Sequence, residues 1–125
     1  MQKMSSGLKT LFLVHFIVAL VFGLLYLLVP AVFMGTLGVK ILDTYPYRLI
    51  GAAVLAFAAS SWFCYQAVEW DRVKIVVQAE IVWTVLAALV GLYGVLLAGQ
   101  AAANWISIVI MAGFAAAFIY FYSRK

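Results

Sequence analysis

Glu80 is the residue whose chemistry most needs an explanation in this chain. It lies in the stretch Val73 to Ala98, which is apolar through most of its length and carries the carboxylate about two turns in from Lys74. A run of this length crosses a bilayer core, which takes about 20 residues. An ionisable group at that depth is costly, so it belongs on an inward face with a partner, or it serves a function. His15, the single histidine, is placed similarly. It follows Lys9 by six residues as Glu80 follows Lys74, which puts each about 9 Å along its helix at the helical rise. Counting back from Trp70, Cys64 falls near the same level, with Ser60 and Ser61 somewhat deeper. Trp62 and Trp83 come closer to the midplane, and Thr84 lies one turn beyond Glu80.

These types allow three kinds of chemistry. Glu80 can act as a protonatable site in a pocket, paired with His15 directly or through a hydroxyl or a water. Trp83 lies three residues after Glu80 on its face, and Trp62 can meet it from another helix. Two indoles beside a carboxylate form a box for a cationic or flat apolar ligand. Glu80, His15, Trp83, Trp62, Ser60 and Thr84 are therefore the candidate ligand or proton-site residues. The plainer reading of each is packing: a hydrogen-bonded core histidine, buried indoles, and a polar layer that holds helices together. His15, Cys64 and Glu80 include usable metal-ligand types, but each comes singly from a separate run with no spacing signature, so no metal site and no cofactor are expected. Charge states stay open at this stage.

The elements that position these residues follow from hydropathy. The chain has 125 residues, 69% of them hydrophobic and only 10% charged. Soluble domains are closer to half apolar and a quarter charged. Four apolar runs account for the difference. They predict an all-α membrane protein, an antiparallel bundle of four transmembrane helices in one domain, with helices over about 10–29, 47–68, 73–98 and 105–122. Lys3 and Lys9 precede the first run, which is too long for a signal-peptide core. Pro30 ends it. Ala31 to Leu37 reads as a short interfacial helix, and Glu69-Trp70-Asp71-Arg72 as a tight, charged turn. Asn104 suits the N-cap of the last helix. Arg48 either snorkels or meets Asp43.

Small residues at four-residue spacing mark the expected packing faces: His15, Ala19 and Gly23; Ala52, Ala56, Ser60 and Cys64; Glu80, Thr84, Ala87 and Gly91; Ala112, Ala116 and Tyr120. Four crossings put both termini on one side with Lys3, Lys9, Arg72, Lys74, Arg124 and Lys125, against Lys40 and Arg48 opposite. The excess predicts a multi-pass protein of the cell (inner) membrane with both termini cytoplasmic. Trp70, Tyr120 and Tyr122 then border the cytoplasmic interface, and Tyr45, Tyr47 and Trp105 the other. The net charge of +4 sits at the ends of apolar runs, which gives no reason to expect a nucleic-acid partner. The lone Cys64 excludes an intrachain disulfide.

Phosphate-binding, zinc-protease and serine-hydrolase motifs are missing from the sequence. The pattern Phe22-Gly23-Leu24-Leu25-Tyr26-Leu27 to Pro30, then Leu37-Gly38, then Tyr47-Arg48-Leu49-Ile50-Gly51-Ala52, resembles uncharacterised prokaryotic four-helix membrane proteins of the DoxX-like group. The resemblance covers mainly the first half and implies the four-helix architecture without an activity. Together these features point to a non-enzymatic integral membrane protein: a subunit of an assembly, homo-oligomeric or with a partner membrane protein, or a binder of a lipid-like molecule, with a buried polar layer around Glu80. The competing readings are a small proton-coupled transporter using Glu80 and, third, a membrane-embedded metal enzyme.

Overall fold

Helix signals at the segment ends decide where each element begins. The computed structural model describes residues 2–124, so Met1 and Lys125, the latter counted above among the charges of one side, lie outside the described residues. The fold is all-α: α1 Ser6–Leu28, α2 Pro30–Thr36, α3 Tyr45–Gln66, α4 Trp70–Leu97 and α5 Trp105–Ser123, with a 3-10 turn Ala102–Asn104 leading into α5. Four helices are long and apolar enough to cross a membrane: α1, α3, α4 and α5 with its leading turn. The fold fits a multi-pass membrane protein.

α1 begins earlier than hydropathy alone suggests because Ser5 caps it. The Leu8 N–H donates to Ser5 Oγ at 3.2 Å, satisfying one of the donors that a helix start leaves without a partner. α2 starts on Pro30, where a proline loses no intrahelical bond, and Gly38 closes it at φ 76°. Asp43 Oδ1 accepts the Tyr45 N–H at 3.0 Å ahead of α3. α4 begins at Trp70 rather than Val73, because the chain is pinned just before it. Trp70 N–H donates to the Gln2 carbonyl at 2.9 Å and Met4 N–H to the Val68 carbonyl at 2.8 Å, a bridge that holds Glu69 extended. Trp70 is buried, with its ring 6.0 Å from that of Tyr122. Asn104 does not cap α5 through its side chain. It has helical dihedrals, and the 3-10 turn feeds straight into the helix.

The chain divides into two compact units, one holding the chain up to Leu11 and from Ala67 onward, the other Phe12–Gln66. In the second unit α3 runs antiparallel to α1, since Leu27 meets Gly51 while His15 meets Ser61. Their closest approach is at glycine. A Cβ on Gly51 would sit 2.6 Å from the Leu27 backbone nitrogen and 2.9 Å from the Gly23 carbonyl oxygen. In the first unit α4 and α5 form an antiparallel hairpin, with Gln78 bonded to the Tyr122 hydroxyl at 3.1 Å and Gly91 against Ile108.

Burial selects the faces. His15, Ala19 and Gly23 on α1 are all buried, as are Glu80 and Thr84 on α4. Two of the small-residue stripes are corrected. On α3 Cys64 is buried as expected, but Ala52 and Ala56 are exposed, and Gly51, Ala58 and Ser61 are buried in their place. On α5 Ala112, Ala116 and Tyr120 are exposed, and Ile108, Phe114, Ala115 and Phe118 are buried. Lipid is as apolar as the side chains it solvates, so a small residue is not driven inward by its apolarity.

Candidate functional site

Within the unit Phe12–Gln66, the buried face of α1 carries one imidazole, and α3 answers it with one hydroxyl. His15 Nδ1 and Ser61 Oγ lie 2.7 Å apart, a short hydrogen bond between two side chains that are 3% and 0% exposed. An antiparallel pair brought together at Gly23 and Gly51 sets this meeting, because close backbones let two short polar side chains touch. Ser60, the neighbour singled out by the stripe reading, turns away and donates to its own helix at the Phe57 carbonyl, 2.9 Å. Trp62 is exposed and belongs to an aromatic cluster, with ring centroids 5.1 Å from Phe16 and 5.7 Å from Tyr65. Cys64 is buried on the same face as Ser61.

At the far end of this unit Arg48 does something the sequence reading did not foresee. Its guanidinium donates to the Leu27 carbonyl at 2.6 Å. That carbonyl is in the last turn of α1, which Pro30 prevents from continuing, so its helical partner is missing. A cation over the C-terminal carbonyls also complements the helix dipole. Asp43 is engaged with the Tyr45 N–H instead. Tyr26 and Tyr47 stack at 6.1 Å beside this corner.

In the other unit, α4 presents Glu80 and Thr84 on one buried stripe with Val73, Val77 and Ala88. Both Glu80 and Thr84 are 0% exposed. The Thr84 hydroxyl is engaged by the backbone, donating to the Glu80 carbonyl oxygen at 2.6 Å. This is the bond by which a threonine hides its hydroxyl in an apolar helix. Trp83 is half-buried on the same helix. Among the described residues, no three of His, Cys, Asp and Glu gather as metal ligands.

A second polar locality, not singled out from the sequence, lies at the α4–α5 connection. Gly99 takes φ 67° and folds the chain back, so that the Gln100 N–H reaches the Gly94 carbonyl at 3.0 Å. Beside this turn Gly91, Gly94, Gln100, Asn104 and Ser107 line a crevice of about 200 Å³. The Gly99-Gln100 pair and Asn104 were visible as a connection, but nothing in their spacing announced that Ser107, a turn into α5, would face the same space.

Comparison of the chain with protein-family models, with curated proteins and with solved structures finds no match.

Proposed function

We propose that this protein is a non-catalytic, multi-pass component of a membrane assembly, a neighbour to further copies of itself or to another polytopic protein. The observation that carries this reading is the placement of small residues on outer helix faces. Ala112, Gly113 and Ala116 of α5 are exposed, and a Cβ on Gly113 would meet nothing within 4 Å. Ala52, Ala53, Ala56 and Ala59 of α3 are exposed as well. In lipid such faces let another helix approach closely, and close packing is what drives association there. The strongest polar groups, His15, Ser61, Glu80 and Thr84, are turned inward. The competing transport reading needs Glu80 open to water, and its complete burial weighs toward assembly.

The experiment is the mass of the protein in lipid nanodiscs at several protein-to-disc ratios. Wild type is expected as a discrete oligomer, or, expressed in its native host and gently solubilised, as a larger complex of fixed composition. Ala112→Leu with Ala116→Leu is expected to shift it to protomers of unchanged helicity. A wild type that stays monomeric at every ratio and purifies alone from its host would overturn the proposal.

A further inference from the structure

The crevice at the α4–α5 connection has a chemistry of its own. Its polar lining is two carboxamides and one hydroxyl, from Gln100, Asn104 and Ser107, against walls of Gly91 and Gly94. Among the described residues, none of these three side chains hydrogen-bonds to the protein; only the backbone N–H groups of Gln100 and Asn104 are engaged. Three groups that each donate and accept therefore face one small space without a partner from the protein. A serine on an apolar helix ordinarily bonds back to its own backbone, as Ser60 and Thr84 do in this chain; Ser107 does not.

Three features say what fits. First, this end of the hairpin carries no formal charge. The connection reads Ala98-Gly99-Gln100-Ala101-Ala102-Ala103-Asn104, α5 has no charged residue before Arg124, and α4 has none after Glu80. Glu80 is eleven residues before Gly91, roughly 16 Å along the helix. Within this hairpin a phosphate or an ammonium would find no counter-charge, whereas hydroxyl groups find matching donors and acceptors. Second, about 200 Å³ is below the roughly 300–1,000 Å³ of a drug-sized pocket, so it takes a headgroup rather than a whole lipid. Third, exposed apolar side chains flank its lining residues along the chain: Leu96, Leu97, Trp105 and Ile106. A tryptophan at the end of an apolar helix belongs at the level of the headgroups, and the aliphatic neighbours lie where acyl chains run.

We propose that this crevice binds the neutral, hydroxyl-bearing headgroup of a membrane lipid, a glycerol or a sugar, with Gln100, Asn104 and Ser107 as its hydrogen-bonding groups. Gly94 keeps the space open, while the Cβ position of Gly91 faces Ile108. A Cβ on Gly94 would close to 3.1 Å on the Gln100 side chain.

The test is native mass spectrometry of the full chain from a detergent without a sugar headgroup, titrated with galactosyl diacylglycerol, with phosphatidylglycerol of the same acyl chains, and with free galactose. Galactosyl diacylglycerol is expected to bind with one saturable site and to be preferred over phosphatidylglycerol. In Asn104→Leu with Ser107→Ala its affinity is expected to fall about tenfold, the factor that two lost hydrogen bonds of modest strength imply, with residual phosphatidylglycerol binding unchanged. Equal binding of the two lipids by wild type overturns the proposal without reference to any variant. So does free galactose binding as tightly as the lipid, which would make the ligand a soluble polyol. An affinity for galactosyl diacylglycerol that is the same in wild type and in a folded variant overturns it too.

Discussion

A hydroxyl 2.7 Å from an imidazole nitrogen, with both side chains buried, has to show as coupling between the two positions. Interhelical hydrogen bonds in membrane proteins average about 0.6 kcal/mol and reach about 1.7. Ser61→Ala is therefore expected to destabilise the fold by about 1 kcal/mol, with Ser60→Ala close to neutral because Ser60 only bonds back to Phe57. A thermodynamic cycle over His15→Leu and Ser61→Ala, read by reversible unfolding in mixed micelles, should give a coupling of about 0.5–1.5 kcal/mol. Strict additivity, or an equal effect of Ser60→Ala, would contradict the contact. These two serines also mark where the sequence stops informing. That a hydroxyl lies at the depth of His15 was readable from counting. Which of two adjacent serines turns inward depends on the rotation of α3, and a 100° step per residue separates them.

That rotation is set by glycine. Gly51 faces the backbone of α1, and the missing side chain is what lets the two helices close. Gly51→Ala would place a methyl group 2.6 Å from the Leu27 nitrogen, and backbone cannot yield as a side-chain tip can. It is expected to cost about 1–3 kcal/mol by overpacking and to weaken the His15–Ser61 coupling, since both depend on the same closeness. Gly35→Ala is the control. Nothing lies within 4 Å of its Cβ position, and alanine is the better helix former by about 1 kcal/mol. Thermal unfolding in detergent should therefore fall for the first and hold or rise for the second; the reverse order would remove Gly51 as the contact point. At the scale of elements the apolar runs were legible because twenty residues of hydrocarbon-soluble side chains have few other fates. The faces were less so. On α1 His15 singles out one side, and the stripe through Ala19 and Gly23 follows it inward. On α3 nearly every turn offers alanine, so Ala52 and Ala56 read as well as Gly51 and Ala58. On α5 Phe114 and Phe118 fill the interior while Ala112 and Ala116 look outward. The cap at Ser5 and the Arg48 bond to Leu27 were missed because both sit at helix ends, whose positions shift by a few residues.

Across the whole chain, charge and backbone pairing bear on orientation from separate directions. Within the unit that contains them, Gln2 and Met4 are bonded to the chain at Val68 and Trp70, and Gly7 lies against Phe121 near the end of α5. The N-terminal residues through the first turns of α1, the start of α4 and the end of α5 thus share one end of the hairpin. Lys3, Lys9, Arg72, Lys74 and Arg124 lie in those segments, whereas Lys40 and Arg48 lie in the α2–α3 connection and the first turn of α3, beyond the full length of α1. Cytoplasmic flanks carry the excess of lysine and arginine, and short loops obey the bias most closely. The expected topology has both termini in the cytoplasm. A dual phosphatase–fluorescent reporter joined before Met1 or after Lys125 should report the cytoplasm from each position, and the same reporter inserted after Gly38 or after Gln100 should report the opposite side. Because the bias is a count and not a fold property, replacing Lys3, Lys9, Arg72 and Lys74 with glutamine should yield a mixed orientation, with the helices still inserted. A reporter at either end of wild type that reads outside the cytoplasm would reject the assignment, and so would an orientation that ignores the four substitutions.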